Sequence, residues 1–126
     1  MTQEAQATSE TTLPAPRLTA DIYETAGGEA YVIEIPVAGL TPDEILIEAD
    51  IDTVTVSTEP RQSDAESNRR YIQREQSIRP LSRIFEFPVE INTDGLRTTL
   101  AHGILKIHVP KAAASRRRVI RVGQSA

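Results

Sequence analysis

The chain has 126 residues, 39% hydrophobic and 4% aromatic, with neither cysteine nor tryptophan. That length and apolar content fit one domain with tails and a modest core, and the lack of cysteine excludes disulfides, thiolate metal sites and a cysteine nucleophile. Net charge is −4, but residues 1–66 carry 14 acidic and 2 basic side chains (−12) and residues 67–126 carry 4 and 12 (+8), so the halves favour packing against each other, within or between chains.

Residues 1–19 are rich in Thr, Gln, Ala, Ser, Glu and Pro, with Leu13 and Leu18 as the large apolar residues after Met1. Such a segment cannot bury enough surface to offset its ordering entropy, and a disordered arm is expected. It contains no apolar run, so neither a signal peptide nor a membrane span is expected, and the cytoplasm is the expected compartment.

Residues 20–111 read as strand after strand. Tyr31, Ile33, Ile35 and Val37 alternate with Val32, Glu34 and Pro36. Ile45, Ile47, Ala49 and Ile51 alternate with Leu46, Glu48 and Asp50. Val54 and Val56 alternate with threonines and Ser57, Phe85 and Phe87 with Ile84 and Glu86, and Leu96, Thr98 and Leu100 with Arg97 and Thr99. A last strand puts Leu105, Ile107 and Val109 on one face before Pro110. This period of two, rich in β-branched residues, predicts half-buried strands. Gly27-Gly28, Asp52, Asp94-Gly95 and His102-Gly103 supply turns between them. Short strands at this spacing predict an all-β, immunoglobulin-like antiparallel sandwich.

Helix signal is sparse. Thr41-Pro42-Asp43-Glu44 offers an N-cap, a first-turn proline and two acids, enough for one turn. Residues 60–69 are polar and predict a loop, which leads into Arg70–Glu75, a short charged segment expected as an edge strand. After Lys111 comes a flexible tail, residues 112–126, with the basic run Arg116–Arg118 and an isolated apolar pair, Ile120 and Val122. Those two side chains share one face of an extended strand.

No catalytic residue, cofactor or metal ligand emerges. His102 lies in a turn and His108 on the last strand, without the cysteines or spaced acids of a metal site. There is no nucleophile elbow and no phosphate loop, so neither catalysis nor ATP use is expected. Arg116–Arg118 has no aromatic stacking partner nearby and the chain as a whole is acidic, so nucleic acid is not an expected partner.

Six pieces, in order, resemble the small heat shock protein core, the α-crystallin (Hsp20) domain. Asp21-Ile22-Tyr23-Glu24-Thr25 looks like the family's opening strand. Gly39 followed by Asp43-Glu44-Ile45 is similar to its glycine, acidic turn and isoleucine, with Ala38-Gly39 where Pro-Gly is usual. Arg74-Glu75 resembles the Arg-Glu pair of its loop strand. Arg83-Ile84-Phe85-Glu86-Phe87-Pro88 resembles its arginine–aromatic–proline strand. Ala101-His102-Gly103-Ile104-Leu105 looks like its signature hairpin, with Ile104 for the commoner valine, and Pro110-Lys111 like its close. Ile120-Arg121-Val122 resembles the family's tail motif. Arg79 and Leu81 depart from the pattern, standing where a glycine and a phenylalanine are common.

The resemblance implies an ATP-independent holdase that binds partly unfolded clients and is not an enzyme. It implies that Ile120 and Val122 dock in a groove of a neighbouring dimer, floored by Ile45, Ile47, Ala49 and Leu100, to build higher homo-oligomers. It also implies a dimer made by loop-strand exchange. There Tyr71, Ile72, Arg74 and Glu75 would meet the partner's first strand, with Asp21, Glu24 and Arg83 at the interface. Arg83, half-buried, is expected to need a carboxylate. Because the arm is short and lacks aromatic residues, the alternative is a structural or regulatory subunit that co-assembles with a longer-armed small heat shock protein. A monomeric p23-like sandwich is a third reading, opposed by the Arg-Glu segment and the tail pair.

Overall fold

The alternating segments become antiparallel strands in a computed structural model, which describes residues 17–75, 79–115 and 122–123. Among the described residues these are β1 (Asp21–Glu24), β2 (Ala30–Pro36), β3 (Ile45–Ala49), β4 (Thr53–Thr58), β5 (Leu81–Glu86), β6 (Arg97–Ala101) and β7 (Ile104–Pro110). They form a four-stranded sheet in the order β1-β2-β7-β6 and a three-stranded sheet in the order β3-β4-β5. The two inner faces bury one core.

Alternation decides what that core contains. Ile33, Ile35, Ile107 and Val109 come from the larger sheet, Val54 and Val56 from the middle of the smaller one, and all six are fully buried. Tyr31 stacks on Phe87 with ring centroids 4.6 Å apart, joining the layers. Backbone bonds from Phe87 N to Asp52 O (2.9 Å) and from Ile91 N to Ile51 O (2.8 Å) close one end.

The β6–β7 hairpin turns on His102 (φ 54°) and Gly103 (φ 75°), both left-handed. A two-residue turn with both central φ positive matches the right-handed twist of the strands it joins. It sets Ala101 opposite Ile104 and Leu100 opposite Leu105. Leu105 therefore enters the core, while Ile104 faces outward.

Three segments differ from expectation. The strand starting at Ile45 ends at Ala49, and Ile51 is exposed. Asp50 causes this: its Oδ1 accepts from Ile51 N (2.8 Å) and its own N donates to Thr53 O (2.9 Å), which turns the chain. In the expected 60–69 loop, Asp64–Ser67 form one helical turn. Ser63 Oγ accepts from Glu66 N (3.1 Å) and Glu66 Oε1 from Ser63 N (3.0 Å), a capping box that Ser-x-x-Glu spells in sequence. Arg70–Glu75 forms no strand and pairs with neither sheet of its own chain. Val32 is buried although it lies on the outer side, flanked across the sheet by Tyr23 and His108.

Candidate interaction surfaces

The sandwich has two open sides. Arg83 Nη1 on β5 donates to the carbonyl of Leu18, just before β1 (2.9 Å). That bond sets the β1 and β5 edges on one side, and leaves the β3 and β6 edges on the other.

On the β3/β6 side, Ile45 and Ile47 from one sheet and Leu96 and Leu100 from the other pack half-buried against the core. Alternation turns these side chains inward along the two edges. Leu96, which follows the turn Thr93–Gly95 just before β6, was not among the residues expected to floor a groove. Ala49 lies exposed at the end of β3. Of the tail pair, Val122 is completely exposed in the single chain, and Ile120 lies outside the described residues.

On the β1/β5 side, β1 is an edge strand with an unpaired backbone row, and Ile22 and Tyr23 are each 46% exposed. The Tyr23 hydroxyl donates to Glu34 Oε2 (2.9 Å), and that carboxylate pushes the phenol above its ordinary value. Lys111 Nζ donates to Glu24 Oε2 (2.6 Å) and lies 4.9 Å from the Tyr31 ring centroid, so Glu24 is already engaged within its own subunit. Asp21 makes no ion pair among the described residues.

Arg70–Glu75 presents Tyr71, partly exposed, and Ile72, completely exposed. Arg74 stacks 4.4 Å from the Tyr71 ring centroid, and Gln73 Nε2 donates to the Glu75 carboxylate. A free sheet edge and an apolar, unpaired segment thus occur in the same chain. For Arg83 the contacts within its own chain are a carbonyl and a ring, not a carboxylate. Its guanidinium meets the Leu18 carbonyl and lies 4.9 Å from the Phe85 ring centroid, and no ion pair involves it among the described residues. A carbonyl and an aromatic face satisfy a half-buried guanidinium without a second charge.

The turn before β3 is an acidic node. Its one-turn 3-10 helix, Pro42–Glu44, is closed by Thr41 N donating to Glu44 Oε1 (2.9 Å). The Thr41 hydroxyl donates to Asp43, and Arg61 Nη1 meets Asp43 Oδ2 at 2.6 Å. The Thr41 hydroxyl first, then the backbone and Arg61, hold the Asp43 carboxyl below its ordinary range. The amides of Arg61 and Thr41 do the same for Glu44. Lowered carboxylate values stabilise the folded state above the ordinary carboxylate range, and that contribution fades as pH falls through the lowered midpoint. Thr41→Val therefore moves the Asp43 midpoint upward in an NMR titration, and an unmoved midpoint would sink this assignment.

His102 is exposed at its turn, and His108 Nδ1 lies 3.4 Å from Arg97 Nη2. Among the described residues no helix is long and apolar enough to cross a membrane.

The model of the Hsp20/alpha crystallin family matches residues 23–123. Similar chains include small heat shock protein HspE of Bradyrhizobium diazoefficiens, 33% identical over 103 residues, which cover 79% of this chain and 65% of that one. Small heat shock protein C2 of Rickettsia felis is 30% identical over 102 residues, 81% of this chain and 65% of that one. The chain thus spans just under two thirds of the length of these relatives. Among solved structures, a small heat-shock protein from Xylella fastidiosa has a TM-score of 0.65 at 26% identity, covering 88% of this chain and all of that one. Heat shock protein 16.0 of Schizosaccharomyces pombe, at 18% identity and a TM-score of 0.66, covers 87% of this chain and all of that one and shares the fold. With the family model matching residues 23–123, from within β1 through β7, the chain belongs to the Hsp20/alpha crystallin family.

Proposed function

We propose that this chain is an ATP-independent molecular chaperone, a holdase that binds partly unfolded proteins and suppresses their aggregation. The family supports a chaperone role in general. The observation that carries the reading is that both open sides of the sandwich pair a receptive edge with an unpartnered apolar segment of the same chain. Ile22 and Tyr23 on β1 face a free edge while Ile72 stands exposed, and the Ile45–Leu100 seam lies open while Val122 stands exposed. Extended segments bind such edges through backbone hydrogen bonds and alternate side chains.

In this reading residues 20–111 form the α-crystallin domain, between an arm (1–19) and a tail (112–126). Dimers form when the Arg70–Glu75 segment, with Tyr71, Ile72, Arg74 and Glu75, pairs with β1 of a partner at Asp21–Glu24. Arg83 steadies that edge from below by holding Leu18. Higher oligomers form when Ile120 and Val122 of one dimer enter the Ile45, Ile47, Ala49 and Leu100 seam of another. Each docking is weak and gains strength from being multiple. Clients bring unfolded apolar segments, for which the vacated edges have broad rather than sequence-specific affinity. No step requires a cofactor, a metal or a chemical reaction, and the work is done in the cytoplasm.

The test is light scattering from a heat-aggregating enzyme, with and without this protein and without ATP. Suppression at equimolar subunits is expected. Unchanged aggregation at that ratio removes the holdase reading.

A further inference from the structure

The charge asymmetry of the chain has a structural address. Between Arg17 and Arg61 there is no lysine or arginine, and β3 and β4 lie wholly within that interval. Along β3 the residues that point into the seam, Ile45 and Ile47, alternate with Leu46 and Glu48, which face outward and are exposed, and Asp50 follows just past the strand end. Leu46 is 57% exposed. The outer rim of β3 is therefore an unpartnered sheet face bearing one large aliphatic side chain and two carboxylates. Glu48 makes no ion pair among the described residues, and Asp50 spends one oxygen on Ile51 N. The opposite wall of the seam, β6, offers Arg97, Thr98 and Thr99 and no carboxylate.

We propose that Arg117 and Arg121 of one subunit dock along this acidic rim of β3 in another, so that cations flanking the apolar pair choose which wall of the seam the tail lies against. The inference rests on the proposed docking of Ile120 and Val122 in the seam. Three observations select this occupant. The tail segment 116–121 carries four arginines and no acid, the complement of the rim. Side chains alternate along an extended strand, so when Ile120 and Val122 enter the seam Arg117 and Arg121 face away from it, towards the outer rims, while Arg116 and Arg118 share the face of the apolar pair. Val122, the described member of the pair, is completely exposed in the single chain. Rim charges of this kind steer association and set register more than they add affinity, and salt screens them.

The consequence is a salt-dependent assembly whose salt dependence belongs to the arginines and whose existence belongs to the apolar pair. Sedimentation velocity on the full chain separates the two, between about 20 mM and about 500 mM NaCl, a range over which screening goes from weak to nearly complete. For the double variant Arg117→Gln, Arg121→Gln, the concentration of half-assembly rises about tenfold at low salt and changes little at high salt, as expected for rim charges. Glu48→Lys with Asp50→Lys does the same from the other side. Combining that pair with Arg117→Glu and Arg121→Glu restores low-salt assembly.

If the glutamine variant assembles as the unsubstituted chain does at every salt concentration while Ile120→Ala/Val122→Ala dissociates, the arginine contact is wrong and the seam reading stands. If the alanine variant also assembles normally, or the unsubstituted chain does not assemble at all, both fall. If Arg69→Gln, Arg70→Gln and Arg74→Gln abolish the salt dependence instead, the rim belongs to the loop segment and the tail assignment is overturned.

Discussion

If the tail docks as proposed, replacing Ile120 and Val122 with alanine collapses the proposed assembly to dimers. Two β-branched side chains buried in a seam contribute roughly 3–6 kcal/mol before costs, and ordering of the tail and lost rigid-body freedom offset much of that. Truncation to alanine removes most of the apolar area, on the order of 3 kcal/mol per docking, which is about a hundredfold in its dissociation constant. A lattice of individually weak contacts cannot absorb that loss at every tail at once. Sedimentation or native mass spectrometry of the variant reads the result directly. The dimer is expected to survive, because the β1 edge proposed to form it is at the opposite end of its sheet from β6. A variant that keeps its full mass would show that the seam is not where the tail goes.

Ile107→Ala destabilises the subunit by about 2–5 kcal/mol, as expected for a buried isoleucine that leaves a cavity. Ile107 is fully buried in β7, the strand paired with β2 on one side and β6 on the other, and it sits opposite Ile33 and Thr98. Few neighbours there can collapse into the void, since both flanking strands are held by their own ladders. Ile84→Ala is the matched control: the same residue type on β5, but 61% exposed, with an expected cost within about 0.5 kcal/mol. Against a total stability of about 5–15 kcal/mol for a domain of this kind, the first substitution endangers folding and the second does not. Urea unfolding of both variants, under conditions that hold oligomeric state constant, gives the comparison. Equal midpoints would contradict the placement of the core.

The two predictions separate what the tail does from what the core does. Loss of assembly with a stable subunit identifies a docking contact, whereas loss of both identifies a fold defect. Thr41→Val stands apart from either. It touches an exposed acidic turn, and its effect falls on the titration of Asp43 and, through the second contact of the same hydroxyl, of Glu44.

Alternation along the chain was sufficient to predict the sandwich, because pleating is local: residues i and i+2 share a face whatever the rest of the chain does. Ile33 and Ile35, Val54 and Val56, and Leu105, Ile107 and Val109 were legible as core for that reason, and all are buried. The His102-Gly103 turn was legible because a two-residue hairpin needs positive φ at both positions. Even the helical turn at Asp64–Ser67 was written in Ser63-x-x-Glu66, although its polar surroundings argued for a plain loop. The pieces that resemble the α-crystallin domain likewise lie in short, contiguous stretches.

What the sequence could not contain was the meeting of distant edges. Leu96, Ile45 and Ile47 all pack against one core only because the two sheets stack face to face. Arg83 finds the Leu18 carbonyl 65 positions away, a partner that no local pattern names. Glu24 is taken by Lys111, 87 positions away, before any partner subunit can reach it. Arg70–Glu75 has the residues of an edge strand but not the neighbour, and a strand is a property of a pair. Sequence by itself determined which faces are apolar, because side-chain alternation is set by covalent geometry. Tertiary structure alone decided which of those faces oppose one another and which stay open, because that depends on long-range stacking that no local period encodes.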